Sequence, residues 1–210
     1  MNYTKVNMDA WDRRDLYTFY MTELKITMNM TVEMDVTNAL AFSRAKGLKF
    51  HSVMMWAVGQ ILNARDEFRY SLDENGELIK WDMISPSYTD FNPETEHFVK
   101  FVTEYSNDLY DFCARVETDK AKHKMGCGFI PNQPKNVYDI SCMPWVTYEA
   151  LTLHVDAGGP CLFPVVLWGK YHEKDGKTVM PVTMNINHAV CDGFHLGRFF
   201  NELQDYLNSL

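Results

Sequence analysis

The sequence lacks the features that mark several large classes of protein. No apolar run is long enough to span a bilayer, and the first 20 residues carry Asp and Arg where a signal peptide would have an apolar segment. Secretion, membrane insertion and membrane partners are therefore not expected. The sequence has neither a GxxxxGK[ST] loop nor a GxGxxG motif, so nucleotide binding of those two kinds has no support.

Cysteine pairs and positive charge are scarce as well. The 5 cysteines form no CxxC pair and are odd in number, which favours reduced thiols in a cytoplasmic protein. The net charge of −8 argues against a general nucleic-acid binder, because such proteins normally present a basic face. The histidines and cysteines show no metal-ligand spacing, so no metal site is expected.

Apolar residues are plentiful. They make up 46% of the 210 residues, enough for a sizeable core, and no linker or repeat interrupts residues 1–210, which we expect to form one domain. The helices and strands do not alternate regularly, which predicts an α/β (α+β) two-layer sandwich with a mixed, mostly antiparallel sheet. Thr37 is expected to cap a helix that Gly47 ends, and Asn75-Gly76 to form a hairpin turn. The other predicted helices cover 14–24, 52–65, 108–122 and the residues after 195, and the clearest predicted strands cover 26–36, 137–141, 151–155, 162–171 and 182–188.

The run from His188 to Leu196, HAVCDGFHL, carries the strongest chemical signal. The residues before it alternate between apolar and polar, with His188 on the apolar side of the predicted strand. The residues after it repeat apolar side chains at helical spacing. An imidazole at such a junction can be shielded from water and oriented, which suits a general base. The alternative for a lone histidine on an apolar face is a buried, hydrogen-bonded core residue.

The motif His-x-x-x-Asp-Gly is a signature of several acyl-CoA-dependent acyltransferases, and the fuller run resembles the chloramphenicol acetyltransferase family. Similar segments are WDRRD from Trp11, LIKWD from Leu78, ETEHF from Glu94 and ISCMPWV from Ile140, in matching order over nearly the whole chain. The resemblance implies the CoA-dependent acyltransferase fold and a homotrimer with active sites between subunits. It also implies an enzyme that uses acetyl-CoA as co-substrate to acetylate a hydroxyl of chloramphenicol by direct transfer.

The chemistry of the reaction and the family resemblance together assign a role to each candidate residue. His188 can take the proton of the attacking hydroxyl and return it to the departing thiolate. The resemblance places the family's oxyanion-stabilising serine at Ser141 and implies an ion pair between Asp192 and Arg13 that shapes the site. Ser141 and Tyr171 are expected to contact acetyl-CoA.

Neighbours of the motif have more ordinary explanations. Cys191 is interpreted as a buried small hydrophobe, and His195 as a packing or hydrogen-bonding residue. Gly193 is expected to supply backbone freedom to the turn.

The acceptor pocket is where the sequence departs from the family pattern. Tyr20, Phe98 and Leu153 match substrate-binding positions. Asn187, however, stands where the family usually has a second histidine, and Leu167 replaces a threonine that holds a water. The segment 155–161 lacks the usual pocket aromatics. The pattern therefore indicates chloramphenicol or another hydrophobic alcohol as acceptor.

Two other interpretations stay open. The catalytic core of dihydrolipoamide acyltransferases carries the same motif, although this sequence has no Ala/Pro-rich linker. A trimeric CoA-binding homologue without turnover is the non-enzyme alternative. The joint presence of His188, Ser141, Asp192 and Arg13 argues against that second interpretation.

Overall fold

The computed structural model describes residues 2–123, 128–153 and 160–210, whose helices and strands follow one another in an irregular order. The helices are α1 (Arg14–Thr22), α2 (Thr37–Lys46), α3 (Phe50–Asn63), α4 (Leu109–His123) and α5 (Gly193–Ser209), with a short 3-10 helix at Asp66–Phe68. The strands are β1 (Tyr3–Lys5), β2 (Thr27–Asp35), β3 (Tyr70–Leu72), β4 (Leu78–Trp81), β5 (Ser85–Asn92), β6 (His97–Val102), β7 (Gly128–Phe129), β8 (Val137–Met143), β9 (Val165–Gly169), β10 (His172–Lys174) and β11 (Lys177–Asn187).

The large sheet is mixed, as predicted. Its order is β10-β11-β9-β8-β5-β6-β7, and β2 also pairs with β11. The pairs β10–β11, β2–β11, β9–β11 and β5–β6 are antiparallel, whereas β5–β8, β8–β9 and β6–β7 are parallel. The ladder between β2 and β11 runs from Asp35 opposite Val179 to Thr27 opposite Asn187, so the end of β11 is firmly held. Strands β1, β4 and β3 form a small separate sheet.

Helices α2, α3 and α5 pack against strands of the large sheet. Helix α3 packs against α2, α4 and α5 and contacts β5, while α5 packs against β2. The apolar stripe predicted for the last helix is buried at Leu196, Phe199, Leu203 and Leu207. Burying each such side chain contributes about 1.5–3 kcal/mol, so this packing holds the start of α5 in a fixed place beside the sheet.

The start of α2 differs from the prediction. Gly47 does end the helix in a left-handed conformation with φ of 66°. Thr37, however, is the first helical residue and not the cap, which is Val36. The Thr37 hydroxyl donates to Asp35 at 2.7 Å and accepts from the backbone N–H of Thr178 at 2.9 Å. Because the helix starts directly after β2, this hydroxyl joins the strand ends instead of capping.

The predicted strand at 151–155 is wrong over 151–153, which have no regular secondary structure, and residues 154–155 lie outside the described part of the chain. The Leu151 carbonyl accepts a hydrogen bond from the Asn29 side chain, so this apolar stretch lies over the sheet instead of joining it. None of the helices in residues 2–123, 128–153 and 160–210 has the length and hydrophobicity of a membrane span.

Candidate active site

The turn from His188 to Asp192 connects β11 to α5. The backbone N–H of His188 donates to the Ile26 carbonyl at 2.9 Å, which extends the β2 ladder by one bond. The side-chain oxygen of Asn187 accepts from the N–H of Ala189 at 2.9 Å and folds the chain out of the strand. His188 therefore lies just beyond the strand, where alternation no longer sets the direction of its side chain.

Arg13 holds this turn from outside. Its guanidinium binds both carboxylate oxygens of Asp192, at 2.5 and 2.7 Å, and also donates to the carbonyls of His188 and Ala189, each at 2.7 Å. Such a bidentate pair is strong and geometrically specific. Hydrogen bonding from Arg13 is the main reason that the pKa of Asp192 is lowered. The ion pair that the resemblance implied is thus formed within one chain.

The His188 imidazole is held in one tautomer. Its Nδ1 lies 2.9 Å from the Cys191 carbonyl oxygen, and since a carbonyl can only accept, Nδ1 carries the proton. In the neutral ring, Nε2 then carries the lone pair. The Asp192 carboxylate is 3.4 Å from Nδ1 but is already bound by Arg13, so it supports the ring without receiving its proton.

Tyr20 fixes the plane of the same ring. The Tyr20 and His188 rings stack with centroids 4.1 Å apart and planes inclined by 17°. The imidazole is thereby constrained at one edge by the Cys191 carbonyl and on one face by Tyr20. This arrangement orients Nε2 before any substrate binds, which is what a general base requires.

The other residues of the motif have structural roles. The backbone N–H of Asp192 donates to Nδ1 of His195 at 2.9 Å, which confirms His195 as a hydrogen-bonding residue. Cys191 is fully buried, and burial raises the pKa of its thiol to about 12, as suits a small hydrophobe. The expectation for Gly193 is wrong: it has no positive φ, and the space around it would accept a Cβ. It begins α5 as an ordinary helical residue.

A cavity of about 380 Å³ lies beside the turn. His188 is not among the lining residues, but Tyr20, which stacks on the His188 ring, is. The volume is within the range of small-molecule sites. Of the predicted substrate-binding residues, Tyr20 and Leu153 line the cavity; the other lining residues are Met21, Lys25, Ile26, Thr27, Pro160, Cys161, Phe163, Val165, Asn185, Ile186 and Asn187.

Ser141 lies elsewhere on the sheet. It sits on β8 opposite Leu167 of β9, which in turn lies opposite Thr183 of β11. Thr183 precedes His188 by five residues. Two strand spacings of about 4.8 Å and five residues of about 3.3 Å place Ser141 and His188 roughly 19 Å apart. One tetrahedral intermediate cannot contact both side chains of a single chain.

The two remaining predicted contacts are also outside the cavity lining. Phe98 on β6 is 42% exposed and packs against Phe91, which contacts the exposed ring of Trp145. Tyr171 is likewise 42% exposed and meets Phe50 edge to face with centroids 6.1 Å apart. Both remain predictions for substrate and acetyl-CoA binding, respectively.

Sequence reasoning missed the polar residues on the cavity side of β2 and β11. Asn29 and Asn185 lie opposite each other in the ladder and are hydrogen-bonded through their side chains. Asn187, considered only as a departure from the family pattern, shapes the turn. The available signal was an amide side chain within an otherwise apolar, buried strand, since buried polar groups need partners.

Within the described ranges, no group of three or more His, Cys, Asp or Glu side chains is placed so that it could hold a metal ion. The site offers an oriented imidazole, a clamped turn and a cavity.

Comparison with known proteins gives one consistent family. A family model described as chloramphenicol acetyltransferase matches residues 1–204. A chloramphenicol acetyltransferase of Clostridium perfringens is 35% identical over 213 residues, covering 100% of both chains. One from Campylobacter coli is 35% identical over 210 residues, covering 99% of this chain and 100% of its own.

Solved structures agree on the fold. A chloramphenicol acetyltransferase superposes with a TM-score of 0.86 at 22% identity, covering 98% of this chain and 100% of that one. The dihydrolipoamide acetyltransferase of Azotobacter vinelandii superposes with a TM-score of 0.67 at 18% identity, covering 92% and 84%. The CoA-dependent acyltransferase fold that the resemblance implied is thereby confirmed.

Proposed function

Because the chain belongs to the chloramphenicol acetyltransferase family, we propose that it transfers the acetyl group of acetyl-CoA to a hydroxyl of chloramphenicol. The observation that carries the proposal is the bond from Nδ1 of His188 to the Cys191 carbonyl. In the neutral imidazole this bond leaves the lone pair on Nε2, and Tyr20, which stacks on the ring, lines a cavity large enough for the acceptor.

The reaction needs one base that acts twice. Nε2 of His188 takes the hydroxyl proton as the oxygen attacks the thioester carbonyl carbon and forms the new C–O bond. The tetrahedral intermediate then collapses, the C–S bond breaks, and the proton on Nε2 passes to the sulfur of CoA. Such a base contributes a factor of about 10² to 10⁴ in rate. Arg13 and Asp192 keep the turn, and hence the ring, in place through both proton transfers.

Ser141 is proposed to stabilise the negative charge on the tetrahedral intermediate. A single oriented donor to an oxyanion is worth roughly 10² to 10³ in rate. Since Ser141 and His188 of one chain lie roughly 19 Å apart by strand geometry, we assign each active site to two copies: His188 from one and Ser141 from its neighbour. Three such sites close in a homotrimer, which is the assembly the family resemblance implied.

Location and biological role belong to the same proposal. The four described cysteines, Cys113, Cys142, Cys161 and Cys191, are free thiols, which fits a cytoplasmic enzyme. Acetylation of chloramphenicol in the cytoplasm would make the protein an antibiotic-resistance enzyme. The acceptor pocket also leaves room for a different hydrophobic alcohol, an outcome that the experiment below separates.

The test is release of free CoA thiol from acetyl-CoA, with chloramphenicol and a panel of other hydrophobic alcohols. Rapid release with chloramphenicol that is lost in His188→Ala supports the proposal. Release with another alcohol alone would keep the mechanism and reassign the acceptor. No release with any alcohol would point to the CoA-binding homologue without turnover.

A further inference from the structure

Two asparagines form a polar pair under the acceptor cavity. Asn29 of β2 and Asn185 of β11 lie directly opposite each other, and Asn185 lines the cavity while being only 3% exposed. A buried amide costs free energy unless its hydrogen-bonding groups are satisfied. The pair is therefore expected to have a specific task.

The orientation of both amides follows from one backbone group. Nδ2 of Asn29 donates to the Leu151 carbonyl at 3.0 Å and also to Oδ1 of Asn185. Because a carbonyl only accepts, the NH₂ group of Asn29 must face Leu151, and Asn185 must turn its oxygen toward Asn29. The NH₂ group of Asn185 is thus directed away from this pair.

The NH₂ group of Asn185 has no hydrogen-bond acceptor among residues 2–123, 128–153 and 160–210, and its nitrogen Nδ2 is buried. Nearby polar groups of the same strand face are paired: the hydroxyl of Thr183 bonds to those of Thr31 and Tyr148. An unpaired buried donor that lines a cavity gains most when a ligand brings an acceptor to it.

We propose that Nδ2 of Asn185 binds a hydrogen-bond-accepting oxygen, such as a carbonyl or nitro oxygen, on the alcohol that is acetylated. This inference rests on the proposed function and adds the determinant of acceptor specificity. Asn185 precedes His188 by three residues, so their backbones are about 10 Å apart. A substrate that presents its hydroxyl to Nε2 can reach Asn185 only with an oxygen several bonds from that hydroxyl.

Apolar side chains form part of the cavity wall. Met21, Ile26 and Phe163 line the cavity together with the Tyr20 ring. The substrate class is therefore an alcohol with an apolar body and a distant acceptor oxygen. Sites built to hydrogen-bond a substrate discriminate strongly against analogues that lack the matching group.

The experiment compares substrates that have the acceptor oxygen with substrates that lack it, in wild type and in a variant of Asn185. Chloramphenicol is compared with analogues in which the nitro group is replaced by methyl, or the amide carbonyl by methylene, in wild type and Asn185→Leu. In wild type, removal of the oxygen that Asn185 binds should lower kcat/KM about 10- to 100-fold. In Asn185→Leu the same removal should have almost no effect.

Two further variants keep the test decisive. Asn185→Asp retains the acceptor for Asn29 at nearly the same volume but has no donor, so it takes over if Asn185→Leu does not fold. Thr183→Val removes a paired hydroxyl from the same face and should leave the preference between analogues unchanged. Equal discrimination by wild type and both Asn185 variants would overturn the inference.

Failure of the proposed function gives a different result. If wild type releases no thiol with chloramphenicol, binding of chloramphenicol and its analogues is measured by calorimetry. Weaker binding in the Asn185 variants, and only of compounds that keep the oxygen, would sustain the inference while the function fails. Turnover with unchanged discrimination would sustain the function while the inference fails.

Discussion

Tyr20 and His188 stack face to face at 4.1 Å, although they come from opposite ends of the chain. This contact restrains rotation of the imidazole ring about its Cβ–Cγ bond. Tyr20→Phe keeps the ring and should hold kcat close to wild type. Tyr20→Ala removes an aromatic contact worth about 0.5–1.5 kcal/mol and should lower kcat about 3- to 10-fold at saturating acceptor. An unchanged kcat in Tyr20→Ala would show that Tyr20 does not orient the base.

His188→Ala should lower kcat by about 10² to 10⁴, because the proton of the attacking hydroxyl then has no oriented acceptor. The variant should fold normally, since the turn is held by Arg13 and by backbone bonds. Thiol release measures the activity of the variant, and circular dichroism checks that it is folded. His97→Ala, an exposed histidine on β6, is the matched control and should retain activity. Near-normal turnover in His188→Ala would remove His188 as the base.

Asp192→Asn should lower both activity and thermal stability. The substitution weakens the bidentate pair with Arg13, at a cost of about 1–3 kcal/mol and several degrees in Tm. Asp205→Asn, an exposed carboxylate of the same helix, should change neither. A fall in rate with an unchanged Tm would instead indicate that Asp192 acts directly on His188.

Mixed assemblies test the placement of Ser141. As homo-oligomers, His188→Ala and Ser141→Ala should each keep at most about 1% of wild-type turnover, since each lacks one group at every site. Co-expressed and purified as mixed oligomers, they should regain a substantial fraction of wild-type turnover, because some interfaces then combine an intact His188 with an intact Ser141. No recovery in verified mixed oligomers would place both groups in one subunit.

His51 predicts a pH dependence of stability. It lies between the rings of Tyr88 and Trp168, and burial lowers its pKa to about 4, with Lys120 adding to the effect and Asp90 opposing it. The unfolded chain binds a proton near pH 6.5, so stability should fall as the pH drops from about 6.5 to about 4 and then level off. The expected loss is about 3 kcal/mol. In His51→Phe, the free energy of unfolding measured with denaturant should change less with pH across this range. The same pH dependence as in wild type would contradict the assignment.

The small size of Gly59 should matter for the packing of α3 against Tyr105 and Tyr138. A Cβ added there would lie 2.6 Å from the Tyr138 hydroxyl and 2.8 Å from a Tyr105 ring carbon. Gly59→Ala should therefore destabilise the protein by about 1–3 kcal/mol despite the better helix propensity of alanine. Gly197→Ala in α5 meets nothing within 4 Å and should be neutral or stabilising, as measured by urea unfolding. Equal stabilities for both variants would refute the steric argument.

The elements that the sequence predicted well are those with strong local patterns. Residues 182–187 and the last helix carried clear strand and helix periodicities, and Gly47 marked a helix end that needs a left-handed residue. The failures at 151–153 and Thr37 share a physical cause. In each, a group from a distant strand makes the hydrogen bond: the Asn29 side chain of β2 donates to the Leu151 carbonyl, and the backbone N–H of Thr178 in β11 donates to the Thr37 hydroxyl.

By itself, the sequence determined the family, the fold class and the identity of the candidate base, because these depend on residue types at fixed spacing. Only the tertiary structure decided which nitrogen of His188 donates to the backbone and which amide group of Asn185 has no partner among the described residues. Both are set by single carbonyl groups, of Cys191 and Leu151, whose positions arise from packing. Sequence spacing cannot report the direction of a hydrogen bond, and that direction decides which polar group is left for a substrate.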